Sequence, residues 1–190
     1  PEVVDGLARH LEAGRQAYWV CPMVRGDHES EDLAAAEARF AALKARFGET
    51  AVLVHGQMKP ELKDAAMERF ASGEAKLLVA TTVIEVGVDV PNATLMIIEQ
   101  AERFGLAQLH QLRGRVGRGS GKSVCLLLRS ETLSDTARDR LALMRETQDG
   151  FRLAEEDLRL RGGGELLGTR QSGDTPFRVA DLEQMQRLLP

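Results

Sequence analysis

Apolar residues gather in five short unbroken runs: Ala17–Cys21, Ala51–Val54, Leu77–Ala80, Leu95–Ile98 and Val124–Leu128. None alternates with polar residues as a half-exposed strand does, and continuous runs of this length are the pattern of parallel strands covered on both faces. Helical spacing fills the gaps between them. Leu33, Ala36, Phe40, Leu43 and Phe47 recur at steps of three and four, leaving Glu37, Lys44 and Arg46 outside, and Leu62, Ala66 and Phe70 form a second stripe behind Pro60, which suits a first helical turn. A further helix over Leu106–Arg113 precedes the last strand. The pattern predicts an α/β domain with a mainly parallel sheet over residues 1–130, in which ligands gather at the carboxyl ends of the strands.

Beyond Arg129 no strand-like run remains. Leu133, Ala137, Leu141 and Met144 share one helical face and Phe151, Ala154 and Leu158 another, with Gln148-Asp149-Gly150 between them as a turn, so residues 131–190 are expected to hold a helical hairpin followed by a glycine-rich loop.

Composition narrows the class. With 43% apolar and 28% charged residues in 190, the chain has the make-up of a globular domain with a core. A net charge of −4 excludes a global basic field, yet from Ala101 to Ser130 six basic residues face Glu102 alone. Cys21 and Cys125 lie in apolar runs without metal-ligand spacing, as buried thiols in a reducing cytoplasm would. There is no long apolar span, so membrane insertion is not expected. The opening at Pro1 without a Met suggests a processed or excised chain.

The richest stretch is Gln111 to Gly119, where Arg113, Arg115 and Arg118 are threaded among Gly114, Gly117 and Gly119. Guanidinium forks on a backbone free to approach a ligand suit a polyphosphate. The following Gly119-Ser120-Gly121-Lys122-Ser123 is not a phosphate loop, because position 116 is Val where the motif needs Gly and a helix precedes the segment where a strand should. No strand ends in paired acids for Mg²⁺. The chain therefore carries arginines suited to a γ-phosphate and nothing for the rest of a nucleotide, which makes it half of a site.

Three segments in register then resemble superfamily 2 helicases: His55-Gly56-Gln57-Met58 at motif IV, Ala80 to Pro91 at motif V, and Gln111 to Arg118 at motif VI. Gly105 to Gln111, the hairpin and the loop Arg161 to Gly173 are similar to the RecG family of bacterial helicases, with transcription-repair coupling factors as the near competitor. The resemblance implies a second RecA-like domain of P-loop NTPase type, followed by a translocation motif. It implies ATP and Mg²⁺ held mainly by a first RecA-like domain of the same polypeptide, branched or duplex DNA as partner, a monomer, and a bacterial cytoplasmic, nucleoid-associated setting.

Residue by residue, the resemblance gives Arg115 and Arg118 the ATP phosphates, with Arg118 as the γ-phosphate finger. Gln111, Gly87 and Asp89 fall on the nucleotide side. Thr81, Thr82, His55 and Gly56 fall on the DNA side, and Arg140, Arg161 and Gln171 form the coupling network of the translocation motif. Two plainer alternatives stand beside these roles: arginines of the hairpin paired with Glu155, Glu156 and Asp157, and Arg113 as a cation at the carboxyl end of its own helix. His55 and His110 lack partners for general-base chemistry, and hydrogen-bonded structural roles suit them better. A non-catalytic phosphate-binding or interaction module is the competing class.

Overall fold

A computed structural model describes residues 2–23, 28–81, 90–116 and 122–160. The five strands are β1 (Gln16–Cys21), β2 (Ala51–Val54), β3 (Leu77–Thr81), β4 (Ala93–Ile98) and β5 (Val124–Leu127). All pair in parallel, in the order β2-β3-β1-β4-β5. The helices are α1 (Glu2–Glu12), α2 (Glu29–Phe47), α3 (Pro60–Ala71), α4 (Leu106–Arg113), α5 (Asp135–Glu146) and α6 (Gly150–Leu160).

Successive strand residues point to opposite faces, and each face has its own cover. Ala17, Trp19, Leu77, Val79, Leu95 and Ile97 pack against Leu7 and Leu11 of α1 and Ala36 and Leu43 of α2. On the other face Tyr18, Val20, Leu78, Ala80, Met96 and Ile98 meet Met67 and Phe70 of α3, Leu106, Leu109 and Leu112 of α4, and Leu141, Met144 and Leu153 of the hairpin. Two-sided burial is the physical reason for the unbroken apolar runs.

Several details depart from the sequence expectation. The helix over Glu2–Glu12 is additional, placed by Val4, Leu7 and Leu11 and tied to α2 by Arg46, whose guanidinium donates to Asp5 at 2.6 Å and holds that carboxyl below its usual range. In α3 the buried face is Met67 and Phe70, while Leu62 is 59% exposed, so the expected stripe is rotated toward Met67. In α6 Leu153 is the buried residue and Phe151 is 90% exposed, which reverses the expected face there. Ser134 caps α5 by accepting from the Ala137 amide, and Asp149 Oδ1 accepts from the Phe151 amide at the start of α6. Gln16, one residue ahead of its expected strand, is buried and donates to the carbonyls of Phe70 and Ala75, joining β1 to the end of α3.

Candidate functional site: strand ends, the arginine segment and its helical support

The chain order separates the expected site residues into two groups. His55 follows β2 and Thr81 ends β3, and the register Val54↔Ala80 sets them side by side at the carboxyl edge of the sheet. The arginine segment instead leads from α4 into the amino end of β5. The expectation that ligands gather at the carboxyl ends thus applies to His55 and Thr81.

At the carboxyl edge two buried polar atoms lack a partner among the described residues: His55 Nδ1 and Thr81 Oγ1. An unsatisfied buried polar atom costs on the order of 1–3 kcal/mol, so two side by side call for a ligand, a water or a neighbouring segment to complete their bonding. For the hydrogen-bonded role expected of the His55 ring, Nδ1 finds no partner among the described residues. Its backbone is engaged, with its amide meeting Met58 Sδ at 3.4 Å and its carbonyl accepting from the Met58 amide at 3.2 Å, a turn that leaves Gly56 exposed. Thr82, Gly87 and Asp89 lie outside the described residues.

Between the carboxyl ends of β1 and β4, where strand order reverses, lies a cavity of about 230 Å³ bordered by Cys21, Pro22, Asp32, Glu99 and Arg103. Its charges are matched internally. Arg103 meets Asp32 in a two-pronged ion pair of 2.7 and 2.8 Å, Arg39 pairs with Glu99 while stacking 5.7 Å from the Trp19 ring centre, and the Trp19 indole donates to Glu99 at 2.9 Å. Gln100 takes a left-handed backbone, φ 45°, to enter the turn Ala101–Arg103. Burial pushes the Cys21 thiol up to about 12 and the Cys125 thiol up to about 11, as structural cysteines require.

The arginine segment begins on α4. Gln111 is exposed and Arg115 half-buried, and the amides of Arg115 and Val116 turn back onto the carbonyls of Leu112 and Arg113. Gly114 keeps an ordinary right-handed φ of −68°, so its turn does not draw on glycine's freedom. Arg118 lies outside the described residues. Arg113 caps a different helix from the one expected: its Nη1 donates to the Met144 carbonyl at 2.9 Å and the Thr147 carbonyl at 2.8 Å, at the end of α5. These are carbonyls that a helix end leaves open, and hydrogen bonds to a charged donor contribute roughly 1.5–3 kcal/mol each. The His110 ring finds its structural role here, its Nδ1 lying 3.2 Å from Arg113 Nη2.

From the opposite direction Arg140 of α5 donates to the carbonyls of Glu102 and Phe104, just before α4. Its Nε is buried and has no partner among the described residues. Among the described residues hairpin arginines pair with acids in Arg159 with Glu156 at 2.7 Å and Arg138 with Asp135 at 3.4 Å, whereas Arg140 donates to backbone carbonyls. Arg161 and Gln171 lie outside the described residues. Sequence patterns missed the Arg113 and Arg140 clamps because main-chain carbonyls, which every residue carries, receive them.

The helicase conserved C-terminal domain model matches residues 2–120, and the model for ATP-dependent DNA helicase RecG, domain 3, C-terminal, matches residues 147–189. The ATP-dependent DNA helicase RecG of Acidithiobacillus ferridurans is 56% identical over 190 residues, all of this chain and 28% of that protein. RecG of Escherichia coli K12 is 58% identical over 181 residues, 95% of this chain and 26% of that protein. Among solved structures, RecG bound to a three-way DNA junction superposes with a TM-score of 0.74 at 41% identity, covering 98% of this chain and 24% of that one. The chain therefore spans about a quarter of the length of the relatives it matches. It belongs to the helicase conserved C-terminal domain family, and from the first helix through the hairpin it is similar to RecG.

Proposed function

We propose that this chain is the second RecA-like motor lobe, with its translocation motif, of an ATP-dependent DNA helicase that remodels branched DNA such as stalled forks and Holliday junctions. The observation that carries this proposal is the union, in one chain, of the parallel-sheet lobe bearing the arginine segment and a hairpin clamped onto the helix that delivers it, with 56% identity to RecG running through both. The match of residues 147–189 to RecG domain 3 favours this over a coupling factor.

In this proposal Arg115 and Arg118 reach across a cleft to ATP phosphates on the first lobe, Arg118 stabilising charge on the transferring γ-phosphoryl group, a device that contributes about 10³ to 10⁵ in rate. Gln111, Gly87 and Asp89 line the nucleotide side. Mg²⁺ is held with ATP mainly by the first lobe. The unsatisfied His55 Nδ1 and Thr81 Oγ1, with Thr82 and Gly56 next to them in sequence, supply the DNA side, where contacts to phosphate position the strand without reading its sequence. Cleft closure with ATP and reopening after hydrolysis favour different contacts, which is what lets nucleotide shift the lobes. Arg140, Arg161 and Gln171 pass that shift to duplex DNA. The protein acts as a monomer beside the nucleoid.

The test is strand separation of a synthetic four-way junction by the full-length protein with ATP. ATP-dependent release of arms is expected; a protein that hydrolyses no ATP in the presence of the junction and separates no strand contradicts the proposal.

A further inference from the structure

The contact between α4 and the hairpin is built in both directions. Arg113 leaves the last turn of α4 for the open carbonyls of Met144 and Thr147 at the end of α5, and Arg140 leaves the middle of α5 for the carbonyls of Glu102 and Phe104 just ahead of α4. α4 is thereby fastened to α5 at both of its ends. A third contact involves α6. Because a guanidinium only donates, His110 Nδ1 is the acceptor of its 3.2 Å pair with Arg113, and the far edge of the same ring faces the first residue of α6, Gly150. A Cβ at position 150 would stand 2.8 Å from His110 Nε2 and 3.4 Å from Cδ2 and Cε1, closer than real Cβ atoms approach a ring nitrogen. The imidazole therefore sits between the Arg113 guanidinium and the backbone of α6, and glycine is what admits it.

The geometry points to Arg113, held by His110 against Gly150, as the positioning residue that transmits movement of the arginine segment to the hairpin. This inference rests on the motor function proposed above. Gly114 and Arg115 follow Arg113 directly, so any displacement that brings the segment to or from a nucleotide moves the guanidinium as well. Through it the pull reaches the main chain of α5, and through the ring it reaches α6. Without the latch α4 moves while the hairpin lags, and ATP is hydrolysed with less DNA travel.

The test compares base pairs separated per ATP hydrolysed in the full-length protein and three variants. Arg113→Gln removes the charge that spans both carbonyls, and Gly150→Ala drives the ring off Arg113. Each is expected to lower the ratio by about tenfold, the signature of an interaction used in transmission. In the third variant, His110→Ala, the ring that holds Arg113 against α6 is gone, so the ratio is expected to fall as it does in Gly150→Ala. A fall of strand separation and ATP turnover in equal proportion in Arg113→Gln overturns the inference, as does a His110→Ala protein whose ratio equals that of the wild type. A wild-type protein that separates no strands with ATP overturns the motor function itself; a coupled wild type with an unaltered ratio in the variants overturns only the latch.

Discussion

Two residues carry structural duties that can be measured without DNA or nucleotide. Asp32 is 8% exposed and its carboxylate is held by both prongs of Arg103, so Asp32→Asn leaves a partly buried cation short of its partner. The expected loss is about 2 kcal/mol, below the full cost of breaking a buried pair because the Arg103 side chain is 31% exposed. Denaturant unfolding of the chain checks it, and a change under half that size contradicts the pairing's importance. His10 lies against the Gln16 carbonyl at 3.3 Å and the Thr94 hydroxyl at 3.2 Å, and burial holds its pKa below 6.5. Since the unfolded ring takes up its proton first, this group's contribution to stability is complete above about pH 6.5 and is lost as pH falls below that value. Unfolding at pH 7.5 and 5.5 should show the loss, and His10→Gln should flatten it. Parallel slopes in the two proteins would mean that His10 is not the group responsible.

At the scale of elements, the two faces of the hairpin make contrasting predictions. Leu153→Ala removes a fully buried side chain of the core cluster and should cost about 3 kcal/mol, whereas Phe151→Ala, at a site 90% exposed, should cost under about 0.5 kcal/mol. Equal costs would contradict the observed face of α6. The same helix shows where sequence reading stops. Strands were legible because burial on both faces writes an unmistakable apolar run, as in Leu95–Ile98, and α2 was legible because nineteen residues give a stripe room to repeat. In α6, eleven residues offer apolar side chains on more than one face, and the choice of Leu153 over Phe151 is made by α4, which lies far off in the chain. Leu62 yields to Met67 in α3 for the same reason. Of the site, the arginine segment and the strand-end residues His55 and Thr81 were visible as motifs; the Arg113 and Arg140 clamps were not, because their acceptors are carbonyls that leave no mark in a sequence.

Taken whole, the described part of the molecule is a parallel-sheet lobe with orphaned polar atoms at its carboxyl edge and a hairpin clamped to α4 by Arg113 and Arg140. On the proposed function, a chain with a net charge of −4 grips DNA through local contacts to phosphate, and binding of the full-length protein to a junction should weaken by about tenfold or more between 50 and 200 mM salt. Affinity indifferent to salt over that interval would argue against a backbone grip. The central claim, that this lobe completes an ATP site whose floor belongs to another, meets its most direct test in DNA-stimulated ATP turnover of the full-length protein carrying Arg118→Ala. Turnover is predicted to fall by about 10³ or more with the fold intact; turnover equal to that of the wild type would contradict the claim.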